Sequence, residues 1–201
     1  MDSTANQFSI KAINNSSQSG SFMLFQRDRN MQQNVFSLAW MTQFVQPRNQ
    51  TQFSWGVNYN FVSGQTGSLR PGVKFNASEL VGTNLTNGNA ITLAANGFTN
   101  QMNQSPTGKL YIKEDSSIPM GSLSVGIGMS NAPTFVTQAM PNTQVIFTPT
   151  PEYWIAFGNY EPGEVLDTQR INNCTRIEFN SGVTAMNVTF NQDGSWNVSP
   201  Y

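Results

Sequence analysis

The sequence has 201 residues with 10 Lys and Arg, 11 Asp and Glu and no His, so its formal net charge is −1. A net charge this close to zero argues against a partner bound mainly by charge, such as nucleic acid. The absence of His removes the usual general base and the commonest metal ligand. Polarity comes instead from 24 Asn and 16 Gln, which donate and accept hydrogen bonds without charge and suit neutral contacts between proteins.

A single domain is predicted over residues 1–201, because no break in composition divides the chain. Residues 1–20 are predicted to form a flexible or strand-exchanging arm of this domain. They contain no basic start followed by an apolar run, so no secretory signal is recognised. No apolar run of about 18 residues occurs, which predicts no transmembrane segment. We therefore expect an intracellular protein.

Residues 51–62 alternate between apolar and polar side chains. Phe53 and Trp55 belong to the apolar set, and the pattern predicts one half-buried antiparallel strand. Residues 35–44 form another β-rich stretch, and the turn residues around Pro47 separate the two. This arrangement predicts a hairpin.

Further short apolar stretches follow at regular intervals, separated by turn residues. They span residues 21–26, 73–78, 90–95, 109–114, 143–148, 153–158, 176–180, 185–190 and 195–198. The Asp193-Gly194 pair between the last two predicts a tight hairpin. No segment keeps a helical period. The series predicts an all-β fold, an antiparallel, jelly-roll-like β-sandwich of about 10–12 short strands, with a closed β-barrel as the alternative.

Residues 121–129 read GSLSVGIGM, so one face of this predicted strand is apolar and the other is almost bare. The bare face consists of Ser122, Ser124, Gly126 and Gly128. Glycine inside a strand often marks the close approach of another backbone or a ligand. We predict that another subunit, or another part of the same chain, lies against this face, which makes these four residues candidate assembly contacts.

Cys174 is the single cysteine, so it has no partner for an internal disulfide or a cysteine zinc cluster. A small reduced residue near the core is the simplest interpretation. The alternative is a disulfide between two chains, which adds Cys174 to the candidate assembly contacts. No His is present to activate the thiol as a nucleophile.

Glu161, Glu164 and Asp167 lie close together in a loop that contains Pro-Gly. Solvated loop charges are the favoured interpretation, because the alternate spacing of oxygen ligands in a calcium loop is missing. A calcium site and a pair of catalytic carboxylates are the alternatives. We predict that the protein is not an enzyme, with no catalytic, cofactor-binding or metal-binding residue and no cofactor.

Two classes of function remain. The first is non-enzymatic self-assembly into a higher-order oligomer or protein crystal, in which the partner is the protein itself. The second is a lectin- or toxin-like module that binds a glycan or a membrane surface, for which we expect exposed aromatic side chains near a pocket. Each tryptophan lies in an apolar pattern that predicts burial, which favours the first class. These tryptophans are Trp40, Trp55, Trp154 and Trp196.

Several stretches together resemble the RhiA-like family of small bacterial and fungal β proteins, named after a rhizosphere-expressed protein of rhizobia. They read FMLFQ, VFSLAWMTQ, FSWGVNYNFV, TGSLRPGVKFNAS and INNCTRIEFNSGVTAMNVTFNQDGSW. The resemblance covers most of the chain and rests on β-core and turn residues, so it implies a fold more than a function. Ser63 departs from the family, which has an aromatic residue there. The resemblance implies no catalytic residue.

A narrower resemblance concerns composition. The amide-rich sequence is similar to that of a crystal-matrix protein of zygomycete fungi. This resemblance implies self-assembly into protein crystals in the vacuole, where they serve gravity sensing.

Overall fold

Seventeen short strands joined by turns form the part of the chain that the computed structural model describes, residues 7–28, 32 and 34–201. This part contains no helix, which confirms the predicted all-β class. In chain order the strands are β1 (Gln7–Asn15), β2 (Gly20–Arg27), β3 (Phe36–Ser37), β4 (Met41–Val45), β5 (Gln50–Gly56), β6 (Tyr59–Gly64), β7 (Glu79–Thr83), β8 (Ala90–Ala94), β9 (Gly97–Met102), β10 (Leu110–Glu114), β11 (Ser124–Met129), β12 (Ala132–Gln138), β13 (Thr143–Phe147), β14 (Glu152–Gly158), β15 (Cys174–Ile177), β16 (Ala185–Asn191) and β17 (Trp196–Pro200). The count exceeds the predicted number because some predicted stretches divide at bends and because short edge strands leave little pattern in a sequence.

The strands form four sheets. Sheet I has the order β17-β16-β1-β5, sheet II β13-β10-β8-β9, sheet III β3-β12-β11-β6-β7 and sheet IV β15-β14-β2-β4. Within the described residues each sheet is open, with two edge strands, and none closes into the alternative barrel. Most neighbours are antiparallel, as expected for a β-sandwich, but β1 pairs with β16 and β8 with β10 in parallel. Parallel neighbours require a crossover connection rather than a hairpin.

The predicted strand over residues 51–62 divides into β5 and β6, which belong to different sheets. Phe53 and Trp55 of β5 are buried, as the alternation predicted, and Phe61 of β6 is fully buried. Val57, between the two strands, is 37% exposed. The chain bends at this point, so one segment of sequence supplies two packed sheets.

The predicted hairpin between residues 35–44 and 51–62 is wrong. β4 pairs with β2 in sheet IV, whereas β5 pairs with β1 in sheet I. The connection crosses from one sheet to the other and is held by the buried side chain of Asn14. Its amide donates to the carbonyl oxygens of Val45 at 3.5 Å and Gln46 at 3.3 Å. Alternation along a strand defines its two faces but leaves its partner open, which is why the pattern misled.

The predicted C-terminal hairpin is confirmed. β16 and β17 pair antiparallel, and Gly194 in the connecting turn has a φ of 81°. The carboxylate of Asp193 accepts hydrogen bonds from the backbone N–H of Ser195 at 3.0 Å and from its hydroxyl at 2.6 Å. The turn residues therefore supply both the conformation and the local hydrogen bonds that a tight connection requires.

The N-terminal strand β1 lies in the middle of sheet I, between β16 and β5. Ile10 and Ala12 are fully buried in the core. The predicted arm over residues 1–20 includes this strand, which pairs within its own chain, whereas residues 1–6 lie outside the described residues. Exchange of this strand between chains stays a prediction.

All four sheets contribute to one main apolar core, for example through Ile10 of sheet I, Leu93 of sheet II, Phe61 of sheet III and Leu24 of sheet IV. Two smaller groups of buried residues lie outside it. The second cluster comprises Met23, Phe25, Ala39, Ala156 and Leu166. The third cluster comprises Leu38, Val62, Phe75, Val136 and Val165.

Candidate functional site

The bare face of β11 is covered by the same chain. Gly126 pairs with Val62 and Val136, so it shares their face of the sheet, which packs in the third cluster. A β-carbon on Gly126 would lie 1.9 Å from the carbonyl oxygen of Phe135 in the neighbouring strand. Glycine is required here because the backbone of β12 passes too close for any side chain. The sequence predicts that either another subunit or another part of the same chain lies against this face. In the structure it is part of the same chain.

The other residues of this strand face are also enclosed to different degrees. Ser124 is fully buried, and its hydroxyl donates to the carbonyl oxygen of Thr66 at 2.6 Å. A β-carbon on Gly128 would lie 2.5 Å from the carbonyl oxygen of Ala132. Ser122 is half-buried. The predicted role of these residues as contacts between chains stays a prediction.

Cys174 begins the edge strand β15 and packs half-buried against the second cluster. Its thiol donates to the carbonyl oxygen of Ile171 at 3.5 Å. Burial raises the pKa of the thiol, which lowers the fraction of reactive thiolate. Thiol–disulfide exchange at Cys174 is therefore slow. A disulfide between two chains stays a prediction.

The acidic loop holds ion-paired surface charges. Glu161 lies 3.4 Å from the ammonium of Lys74, and its backbone N–H donates to the Glu164 carboxylate at 3.3 Å. Asp167 lies 3.4 Å from the guanidinium of Arg170. In the described part of the chain no three His, Cys, Asp or Glu residues come together as a metal site would need. This geometry fits the favoured interpretation of solvated loop charges.

The outward face of sheet I, here called the amide face, is almost free of charge. The ladder register places these side chains on it: Gln7, Ser9, Lys11, Ile13, Asn15, Gln50, Gln52, Ser54, Ala185, Asn187, Thr189, Asn191, Asn197 and Ser199. Each of them is exposed or half-buried, and Lys11 is the single charged member. Surfaces designed for solubility carry about 25–35% charged residues. The amide face is therefore an unusually neutral surface rich in groups that both donate and accept hydrogen bonds.

The sheet edges are similarly neutral. Of the eight edge strands in the described residues, β7 contains Glu79 and β15 contains Arg176, and the other six contain no charged residue. Proteins normally protect edge strands from pairing with other chains by placing Lys, other charges or Pro on them. One of the six, β17, ends with Pro200, but the remaining five lack both devices.

An open cleft of about 640 Å³, here called the aromatic cleft, lies between β1, β14, β15 and the loop over residues 178–184. Phe8, Tyr153 and Phe179 line it. The rings of Phe8 and Phe179 meet edge to face at 4.8 Å, and those of Tyr153 and Phe179 at 5.9 Å. Trp55, which is 1% exposed, packs behind them at 5.8 Å from Phe179. The half-buried rings at the cleft thus rest on a rigid aromatic layer in the core.

Charged side chains also line the aromatic cleft. The Arg176 guanidinium lies 3.4 Å from the Glu152 carboxylate and 2.8 Å from the Glu178 carboxylate. The side chain of Glu178 is 62% exposed, whereas that of Glu152 is 15% exposed. The guanidinium pairs with both carboxylates, whose remaining lone pairs can accept further hydrogen bonds.

No motif in the sequence singles out most of these residues, because they come from three segments far apart in the chain. The Tyr153 ring is half-buried, with its hydroxyl 3.6 Å from the sulfur of Met129. The one local signal is the RIEF stretch of residues 176–179, whose alternation puts Arg176 and Glu178 on the same side. Trp40 and Trp55 are buried, as predicted, whereas Trp154 and Trp196 are only half-buried.

Comparison with known proteins identifies the family. A sequence profile described as RhiA matches residues 5–201. The chain belongs to the RhiA family. Protein RhiA of Rhizobium leguminosarum bv. viciae is 38% identical over 200 residues, which cover 96% of this chain and 87% of that protein. No solved structure matches.

The family assignment confirms the resemblance found in the sequence, and the matched region includes every strand described above. No helix among the described residues has the length and apolar character needed to cross a membrane.

Proposed function

We propose that this RhiA-family protein is a non-enzymatic structural protein that self-assembles into a higher-order oligomer or a protein crystal. The observation that carries the proposal is the amide face, a four-stranded sheet surface with Lys11 as its single charge. The vacuolar crystal matrix implied by the narrower resemblance is the most specific form of this proposal.

The chemistry of the amide face suits a second copy of the same chain. Asn, Gln, Ser and Thr side chains each contain a donor and an acceptor, so a face made of them is complementary to itself. Two copies related by a two-fold axis bring the same patch together from both sides. A formal net charge of −1 leaves little repulsion between molecules.

Repetition would extend such contacts into a lattice. The uncharged edge strands offer further contacts in other directions, because their unpaired backbone groups can bond to another strand. Individually weak contacts are sufficient when every molecule makes several of them.

The test is the molar mass of the protein by light scattering after size exclusion. We expect the wild type to form a species much larger than the 22.2 kDa chain. Gln52→Lys with Asn187→Lys adds two positive charges on either side of Lys11, with which both residues pair. Because like charges then face each other across a two-fold contact, we expect this double variant to be smaller than the wild type.

The matched control adds the same charges elsewhere. Gln169→Lys with Asn172→Lys changes two exposed loop residues, and we expect it to assemble as the wild type does. A wild type that stays at 22.2 kDa contradicts the proposal, as does equal assembly of the two double variants. The same measurement with reductant, and on Cys174→Ser, tests whether a disulfide between chains contributes.

A further inference from the structure

We propose that the aromatic cleft binds a neutral saccharide. This inference is separate from self-assembly and concerns a different surface, on the side where β14 and β15 of sheet IV meet β1 of sheet I.

The cleft has the size and construction of a ligand site. Its volume of about 640 Å³ falls within the roughly 300–1,000 Å³ of small-molecule pockets. Three strands supply five of the twelve lining residues, and the loop over residues 178–184 supplies six of the others. Aromatic and aliphatic side chains with a few polar groups among them are the usual lining of such pockets.

The aromatic lining is held rigidly enough to act as a stacking surface. Phe179 contacts three other rings, at 4.8 Å (Phe8), 5.9 Å (Tyr153) and 5.8 Å (Trp55). Phe8 and Phe179 remain half-buried and keep part of their surface open to the cleft. The face of an aromatic ring is electron-rich, and the C–H groups on one side of a sugar ring carry partial positive charge. A sugar ring can therefore lie against these side chains.

The charged side chains of the cleft favour a ligand without net charge. A cation would compete with Arg176, which already pairs with Glu152 and Glu178. An anion would be repelled, because the two carboxylates outnumber the single guanidinium. Sugar hydroxyls, by contrast, can donate to the carboxylates and accept from the guanidinium, and such charge-assisted bonds are stronger than neutral ones.

The experiment uses the full chain and a panel of methyl glycosides of glucose, galactose, mannose, xylose, fucose and N-acetylglucosamine. Saturation-transfer NMR identifies the glycosides that bind, and titration gives their dissociation constants. Two cleft variants follow. Phe179→Leu keeps an apolar side chain but removes the ring, and Glu178→Gln removes the charge of an exposed carboxylate.

Two controls make the same chemical changes elsewhere. Phe44→Leu alters a ring that is 63% exposed on β4, at the opposite edge of sheet IV, and Glu161→Gln alters another ion-paired surface carboxylate. We expect at least one glycoside to bind, each cleft variant to weaken it by about tenfold or more, and each control to leave it unchanged.

Two results would overturn the proposal. One is that no glycoside of the panel binds at millimolar concentration. The other is that the cleft variants bind as tightly as their controls. If Phe179→Leu fails to fold, Glu178→Gln decides alone, because that side chain is 62% exposed and its replacement leaves the aromatic layer intact.

Discussion

At the scale of single residues, the clearest constraint is the absence of a side chain at Gly126. We expect Gly126→Ala to destabilise the protein by about 3 kcal/mol or more, because the new β-carbon would lie 1.9 Å from a backbone oxygen that cannot move without breaking the sheet. Unfolding in urea, followed by fluorescence, measures the change.

Gly82→Ala is the matched control in the same sheet. Nothing lies within 4 Å of a β-carbon at Gly82, so we expect no loss, or a gain of about 0.4–1 kcal/mol from a less flexible unfolded chain. Equal effects of the two substitutions would show that the close approach of the β12 backbone to Gly126 does not cause the loss of stability.

Glu114 at the end of β10 is a second residue whose environment has a measurable consequence. It is 1% exposed, and one carboxylate oxygen accepts hydrogen bonds from the backbone N–H of Met140, at 3.2 Å, and from the hydroxyl of Thr143. The other oxygen has no hydrogen-bond partner among the described residues. Burial raises the pKa of this carboxyl above its ordinary value of 4.5, and the two hydrogen bonds oppose the rise.

The sign of the pH effect follows from this shift. The folded protein holds the Glu114 proton more tightly than the unfolded chain does, so stability falls as pH rises from 4.5 to the raised pKa. Glu114→Gln removes that titration. We expect the unfolding free energy of the wild type, minus that of the variant, to decrease with rising pH across this window. A difference that is flat or increases with pH would contradict the assignment.

At the scale of elements, the turn between β16 and β17 has a conformation that most residues avoid. Gly194 has a φ of 81°, where an L-residue other than Asn or Asp costs roughly 1–2 kcal/mol. We expect Gly194→Ala to lower the free energy of unfolding by about that amount, and Gly194→Asn to lower it less, since Asn tolerates left-handed backbone. Thermal unfolding of both variants checks the order, and an Asn variant less stable than the Ala variant would refute it.

The elements also show where prediction from sequence succeeds. The C-terminal hairpin was predicted because its pairing, its turn and its hydrogen bonds all lie within residues 185–200. The hairpin between residues 35–44 and 51–62 was wrong because both strands find better partners elsewhere: β2 for β4 and β1 for β5. Short-range signals decide a connection only when no long-range partner competes.

At the scale of the whole molecule, the proposed assembly rests on neutral contacts, and this predicts its response to salt. Salt screens the attraction between exposed charges that lie more than about 10 Å apart at 0.1 M, or more than about 3 Å apart at 1 M. Contacts between amides and hydroxyls do not depend on such attraction. We expect the molar mass of the assembled species to be the same in dilute and in concentrated sodium chloride, as measured by light scattering. Dissociation by salt would indicate ion pairs between molecules instead.

The sequence by itself determined the all-β class, many of the strands, the C-terminal hairpin, the neutral surface chemistry and the family, because alternation, turn residues and composition are local properties. The tertiary structure decided which strands pair, what covers the face of Gly126 and where the aromatic cleft lies. Those features join residues far apart in the chain, as Phe8, Tyr153 and Phe179 do. Such contacts depend on the packing of whole sheets against one another, and no single stretch of sequence contains that information.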